Sequence, residues 1–141
     1  MAVEFDRSII GTEFDHTVFD PVTTEEIAAY AAACGERPAG RASQDAPLVA
    51  PPTFVVRLRG RRFMPANLPP SLGRQGLDAG KDIEFGVPIR AGDVLTAAST
   101  VHDIYEKTGR SGTMAFLVLR TLVTNQRGEL VAVIDQKMMF R

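Results

Sequence analysis

The chain has 141 residues, the size of a single domain that buries roughly two thirds of its unfolded surface around one core. With 16 basic and 17 acidic residues its net charge is -1, which removes the bulk electrostatic case for a nucleic acid or an anionic membrane surface as partner. Cys34 is the only cysteine, so an internal disulfide and a thiolate zinc site are excluded, and a cytoplasmic location is the expectation.

The N-terminal MAVEFDRSIIG carries acidic residues where a signal peptide needs a basic and then an apolar stretch. No run approaches the roughly eighteen apolar residues of a membrane span, so neither export nor a membrane partner is expected. Residues 13–20 (EFDHTVFD) alternate loosely and stop before Pro21, the pattern of a short strand or extended arm. Thr23-Thr24-Glu25-Glu26 fits a capping box, with Thr23 accepting from the backbone of Glu26 and the Glu26 carboxylate reaching back. Ile27, Tyr30, Ala31 and Cys34 then recur at helical spacing, and Gly35 ends the helix.

Residues 35–53 (GERPAGRASQDAPLVAPPT) are rich in Gly, Pro and polar residues, and a connection this long in a small domain reads as a site-forming loop. The sequence TFVVRLRGRRFM after Pro51-Pro52 predicts a helix with proline in its first turn. Phe54, Val55, Leu58 and Arg62 or Phe63 would face inward, with Gly60 as its weak point. Residues 65–80 carry prolines and glycines and should cross the surface without regular structure. Four strands then follow, at 81–89, 94–107, 113–125 and from the turn 126–128 to Phe140, joined by turns at 90–93 and 108–112. They read as a consecutive antiparallel meander whose curled face closes over the helix.

Capping-box helix, Gly-Glu, loop, APPTF (residues 50–54), PIRAGD (88–93), YEKTGRSG and NQRGELVA together resemble the MaoC-like dehydratases, most closely their N-terminal-type domains, from about Ile10 to the end. The resemblance implies an α+β hot-dog fold: one domain over residues 1–141, a curved antiparallel sheet wrapped around a central helix that starts near Thr53, and subunits paired edge to edge. It implies addition or removal of water on a 2-enoyl or 3-hydroxyacyl thioester in fatty acid metabolism, with coenzyme A or an acyl-carrier protein as the thioester carrier and no further cofactor or metal. Active relatives place an Asp and a His in G-D-x-N-P-x-H, a general acid/base pair that holds and deprotonates water, and a backbone donor at the start of the central helix to stabilise the oxyanion.

Here Gly35-Glu36-Arg37-Pro38-Ala39-Gly40 stands where that motif would be, and its histidine is missing. Glu36 is the candidate catalytic carboxylate, against the plainer reading of a solvated loop residue. His16 and His102 lie outside the motif, and Asp45, Asp78 and Asp82 are weaker candidates. The prolines lack N–H groups, so Thr53 and Phe54 are the first donors and candidate substrate-binding residues. Arg57 and Arg61, in a basic cluster with Arg59 and Arg62, are candidates for the phosphates of coenzyme A or an acidic carrier, against the plainer reading of a solvated face.

The leading expectation is an acyl-binding subunit of a hydratase or dehydratase that lacks the full Asp/His pair and works as a homodimer or as a heterodimer with a catalytic hot-dog subunit. The alternatives are a self-sufficient hydratase or thioesterase using Glu36, and a non-catalytic acyl-binding or assembly module.

Overall fold

In the computed structural model, which describes residues 6–37, 47–66, 68 and 76–141, the local signals around Thr23 produce the expected helix. Helix α1 spans Thr24–Ala33. Its first turn is closed by Thr23 Oγ1 accepting from the Glu26 amide (3.1 Å) while Glu26 Oε2 accepts from the Thr23 amide (2.9 Å), a reciprocal cap that contributes about 1 kcal/mol. At the other end the Gly35 amide donates to Ala32 O and the Glu36 amide to Ala31 O (2.8 Å), with Gly35 at φ +72, the left-handed stop that glycine favours. Ile27 and Ala31 are buried and Tyr30 is half-buried. Cys34, expected on the same inward stripe, is exposed, because the helix has already ended and residue 34 sits at its C-cap.

The strands are β1 Glu13–Val18, β2 Gly76–Phe85, β3 Thr96–Gly109, β4 Gly112–Thr124 and β5 Leu130–Phe140. Among the described residues they form one antiparallel sheet in the order β1-β3-β4-β5-β2. Only β3, β4 and β5 form the meander. The strand expected at 81–89 begins earlier, within the stretch expected to be irregular, ends at Phe85, and pairs with β5 on the far edge rather than with β3. The reason lies at Gly86, whose amide donates to Val131 O (2.8 Å), with the next amide, of Val87, bonded to Leu130 O (2.9 Å). A Cβ at residue 86 would stand 2.0 Å from the Leu130 carbonyl oxygen, so this glycine lets the chain leaving β2 lie against β5. Residues 86–95 then cross to the other side of the sheet instead of reversing.

The turn at 90–93 forms where expected, but it joins a crossing segment to β3. Asp93, buried, accepts through Oδ2 from the Arg90 amide (2.8 Å) and through Oδ1 from Gln126 Nε2 (3.1 Å). Gln126 Oε1 in turn accepts from the Val94 amide (3.0 Å). Around this turn the Val22 amide donates to Asp93 O, the Gly92 amide to Val22 O and the Ala91 amide to Leu48 O, so one tight turn ties together the approach to α1, residues 48–50 and the β4–β5 turn.

The central helix expected from Pro52 is a 3-10 turn over Pro52–Arg57, hereafter the proline turn. Phe54 and Val55 are buried as expected, Leu58 is half-buried, and Arg62 and Phe63 are exposed. A helix running on would direct the amides of residues 61 and 62 at its own carbonyls. They donate instead to Thr17 Oγ1 (3.3 Å) and Asp15 Oδ1 (3.1 Å) of β1, and Thr17 Oγ1 donates to Asp15 Oδ2 (2.8 Å). Local side-chain acceptors of this kind compete directly with helical hydrogen bonding. Gly60 lets the chain pass with the Asp15 side chain in place, since a Cβ there would lie 1.8 Å from Asp15 Oδ2.

The proline turn and α1 cover one face of the sheet around Ile27, Phe54, Val55, Leu95, Ala97, Val123, Val131 and Ala132. A second apolar cluster gathers Val101, Ile104, Leu117, Leu119 and Phe140 further along the same sheet. No helix among the described residues is long and apolar enough to cross a membrane.

Two outcomes follow from these contacts. Asp93→Ala leaves the Arg90 amide and the Gln126 side chain without their buried acceptor and should lower the unfolding free energy by about 2–3 kcal/mol, read from the urea midpoint at unchanged slope. The Asp135 carboxylate, which accepts from Arg120 Nε and Nη2 at 2.8 Å each across β4 and β5, is held below its ordinary range, first by those hydrogen bonds. A folded-state pKa below the unfolded value of about 3.9 stabilises the fold above that value, and the gain is lost as pH falls through the folded value. The stability gap between wild type and Asp135→Asn, about 0.5–1 kcal/mol for a partly exposed pair near pH 7, should therefore narrow by about pH 3 in urea titrations.

Candidate functional site

The same helix stop that ends α1 sets the first wall of a cleft. The backbone of Glu36 is fixed by its bond to Ala31 O, and the side chains of Glu36 and Arg37 line a cleft of about 310 Å³. Residues 49–52 form a second wall, with Val55 of the proline turn beside them; residues 85–89 and Val131 form the third. Residues 49–52 are placed by the Ala50 amide donating to Ile89 O (2.8 Å) and by an antiparallel bridge between Val49 and Arg90. Apart from Glu36 and Arg37 the lining side chains are apolar, and Phe85 remains half exposed at 51%. This combination suits a ligand with an apolar tail next to a polar, hydrogen-bonding head.

The proline turn presents its donors less freely than its sequence implied. The Phe54 amide donates to Pro51 O (2.9 Å), which leaves that of Thr53 as the first N–H after the two prolines. The Thr53 side chain faces α1, where its Oγ1 accepts from Tyr30 Oη (2.9 Å). The Phe54 ring meets Tyr30 edge-on at 5.5 Å between centroids. The Arg57 guanidinium lies 4.8 Å from the Phe54 centroid and 5.9 Å from that of Tyr30, with Glu26 4.0 Å away. Thr53, Phe54 and Arg57 thus come together with Tyr30 as a clasp between the proline turn and α1, and none of them lines the cleft. Arg61 is not part of this group: it is exposed, and its amide is bound by Thr17 of β1.

Both histidines are described residues, and neither lines the cleft. His16 is exposed on β1 beside Glu13 (3.5 Å), and His102 is exposed at an irregularity in the β3 register. Asp78 and Asp82 lie on the edge strand β2, where Asp78 accepts from the Gly80 amide and Gln136 Nε2 and Asp82 pairs with Lys137. Asp45 and residues 38–40 of the Gly-Glu motif are outside the described residues. Among the described residues no group of three or more His, Cys, Asp or Glu side chains is placed to hold a metal.

Residues 8–134 match the model of the FAS1-like, dehydratase domain region. The chain belongs to this dehydratase family. It is 29% identical to a UPF0336 protein of Streptomyces griseus, over 96% of this chain and 95% of that protein. Its fold is similar to that of the MaoC-like dehydratase from Rhodospirillum rubrum, with a TM-score of 0.66 and 25% identity over 93% of this chain and 91% of the other. It is also similar to the C-terminally truncated HadBC (3R)-hydroxyacyl-ACP dehydratase complex of Mycobacterium tuberculosis, with a TM-score of 0.59 and 23% identity over 92% and 99% of the two chains. The α+β fold expected from the sequence is therefore the hot-dog fold of the MaoC-like proteins.

Of the residues that line the cleft, the sequence singles out Glu36 but not Arg37 or the wall at 85–89. Arg37 had a signal, as a cation adjoining the candidate carboxylate. The wall had none, because its position depends on β2 pairing with β5. For the clasp, replacing Arg57 with alanine should lower the unfolding free energy by about 0.5–1 kcal/mol, the worth of a partly exposed cation over aromatic faces, as measured by urea unfolding.

Proposed function

We propose that this chain is an acyl-thioester-binding subunit of a hydratase or dehydratase, and that the acid/base pair acting on the bound acyl group is completed by a partner subunit. The observation that carries the proposal is the cleft itself: among the described residues, apolar walls of residues 49–52 and 85–89, one carboxylate from Glu36, and no imidazole. Hydration of an enoyl thioester needs a group that takes a proton from water and a group that returns one to the α-carbon, with the thioester carbonyl polarised between them. Glu36 can take the first role. A second proton carrier has no candidate among the described lining side chains, since the Arg37 guanidinium offers only hydrogen-bond donors.

The carrier fits the same picture. The Arg37 guanidinium at the cleft can pair with a phosphate of coenzyme A or of an acyl-carrier protein. The thioester and the first carbons of the acyl chain would lie between Pro51-Pro52 and the 85–89 wall, and the Thr53 amide, the first N–H after those prolines, is the donor for the carbonyl oxygen. The M. tuberculosis HadBC dehydratase is, by its name, a complex of two chains, which supports division of labour in a fold of this type. A second reading, a self-sufficient enzyme, is favoured by one observation, the placement of Glu36 in the cleft.

Enoyl absorbance of crotonyl-CoA and of a longer enoyl-CoA, followed with the purified chain and with Glu36→Ala, separates these readings. The proposal expects saturable acyl-CoA binding with almost no turnover by the chain alone. Rapid loss of enoyl absorbance that disappears in Glu36→Ala would establish a self-sufficient hydratase instead, and release of free thiol would establish a thioesterase.

A further inference from the structure

On the far side of the proline turn lies a second, smaller cavity of about 70 Å³, enough for roughly two water molecules at liquid density. It sits between residues 55–63 and the concave face of the sheet, with Phe14, Leu119 and Ile134 among its apolar walls and Arg59, Arg62, Lys81 and Gln136 among its polar ones. The hydroxyls of Ser99 and Thr121 also line it, but they bond to each other at 2.7 Å, so they demand no polar ligand. Val55 alone lines both this cavity and the cleft, and it is only 2% exposed.

The 3-10 geometry explains why one residue holds this position. Three residues per turn send successive side chains to three different sides. Phe54 turns onto Tyr30, Val56 faces only the inner cavity, and Val55 stands between the two spaces. We propose that Val55 is the partition that sets the length of acyl chain this protein accepts: a tail entering the cleft stops at its two methyl groups, and the space beyond them, with Leu119 and Ile134 in its walls, opens to the tail only when they are removed. The inference rests on the acyl-thioester reading above and adds the residue that determines specificity.

The test is binding rather than turnover. Dissociation constants are measured calorimetrically for butyryl-, hexanoyl-, octanoyl- and decanoyl-CoA, with unacylated coenzyme A as the baseline, on wild type, Val55→Ala, Val55→Ile and Leu119→Ala. In wild type, affinity should rise by about fourfold per buried methylene up to a break length and then level off. Val55→Ala should move the break to longer chains, extending the same rise over about two more carbons. Val55→Ile, which keeps the core filled and does not depend on a cavity being tolerated, should move it to shorter chains. Leu119→Ala enlarges the inner cavity while leaving Val55 in place and should not move the break.

A break at the same carbon in wild type, Val55→Ala and Val55→Ile would overturn the partition while leaving acyl binding intact, as would a shift produced by Leu119→Ala alone. Absence of binding at every chain length by folded wild-type protein would instead overturn the acyl-thioester reading itself.

Discussion

The buried carboxylate of Asp93 is the contact on which the arrangement around the cleft depends. A charge removed from water at this depth is tolerable only if its oxygens find donors, and Asp93 finds them in two separate turns: the Arg90 amide in its own and Gln126 in the turn between β4 and β5. The Arg127 guanidinium adds a positive charge 3.7 Å away. Because the backbone of the same turn also bonds to Val22 and Leu48, satisfying one carboxylate fixes where α1 begins and where residues 48–52 run. Those are the segments that carry Glu36 at the helix end and Pro51-Pro52 along the cleft. Two of the sequence pieces that carry the resemblance, PIRAGD and NQRGE, thus meet as the two halves of one structural staple, and PIRAGD also gives Pro88 and Ile89 to the cleft wall.

A second polar pair sets the opposite limit of the site. Asp15 and Thr17 sit on β1, buried, and take the amides of Arg61 and Arg62. A long helix in the concavity of the sheet would fill that space with its own side chains. Stopping after six residues leaves a bare stretch of backbone beside β1 and an inner cavity under it, and the chain passes because Gly60 presents nothing to Asp15. The short proline turn is therefore a consequence of two buried acceptors on a neighbouring strand, and it divides the apolar interior into two spaces with Val55 between them.

What the sequence made legible follows the range of the forces involved. The capping box, the glycine stop at Gly35 and the turns at 90–93 and 126–128 are decided by residues within a few positions of one another, and each formed where it was expected. The pairing of β2 was decided at Gly86 by the carbonyl of Leu130, forty-four positions away, and no local pattern reports such an approach. The proline turn stands between these cases. Its start was legible from Pro51 and Pro52 and its inward residues from Phe54 and Val55, while its length was fixed by Asp15 and Thr17. The site inherits this division: Glu36 belongs to a local motif and could be found, whereas the wall at 85–89 exists only because β2 lies on the far edge.

The chemistry of the cleft depends on the same division. A hot-dog sheet supplies a curved apolar face almost regardless of sequence, so binding an acyl tail needs little beyond a gap beside the covering turn. Protonating and deprotonating carbon needs groups placed to within fractions of an ångström, and these come from the loop after α1 in the active relatives that the sequence resembles. In this chain the loop begins with Glu36, its amide bonded to Ala31 O, and continues without a histidine. On the proposed reading, a subunit without a proton carrier keeps its acyl cleft and another surface brings an imidazole to it. The half-exposed Phe85, on the outer edge strand and also in the cleft wall, puts the open side of the site at the edge of the sheet, where a second hot-dog subunit could reach it.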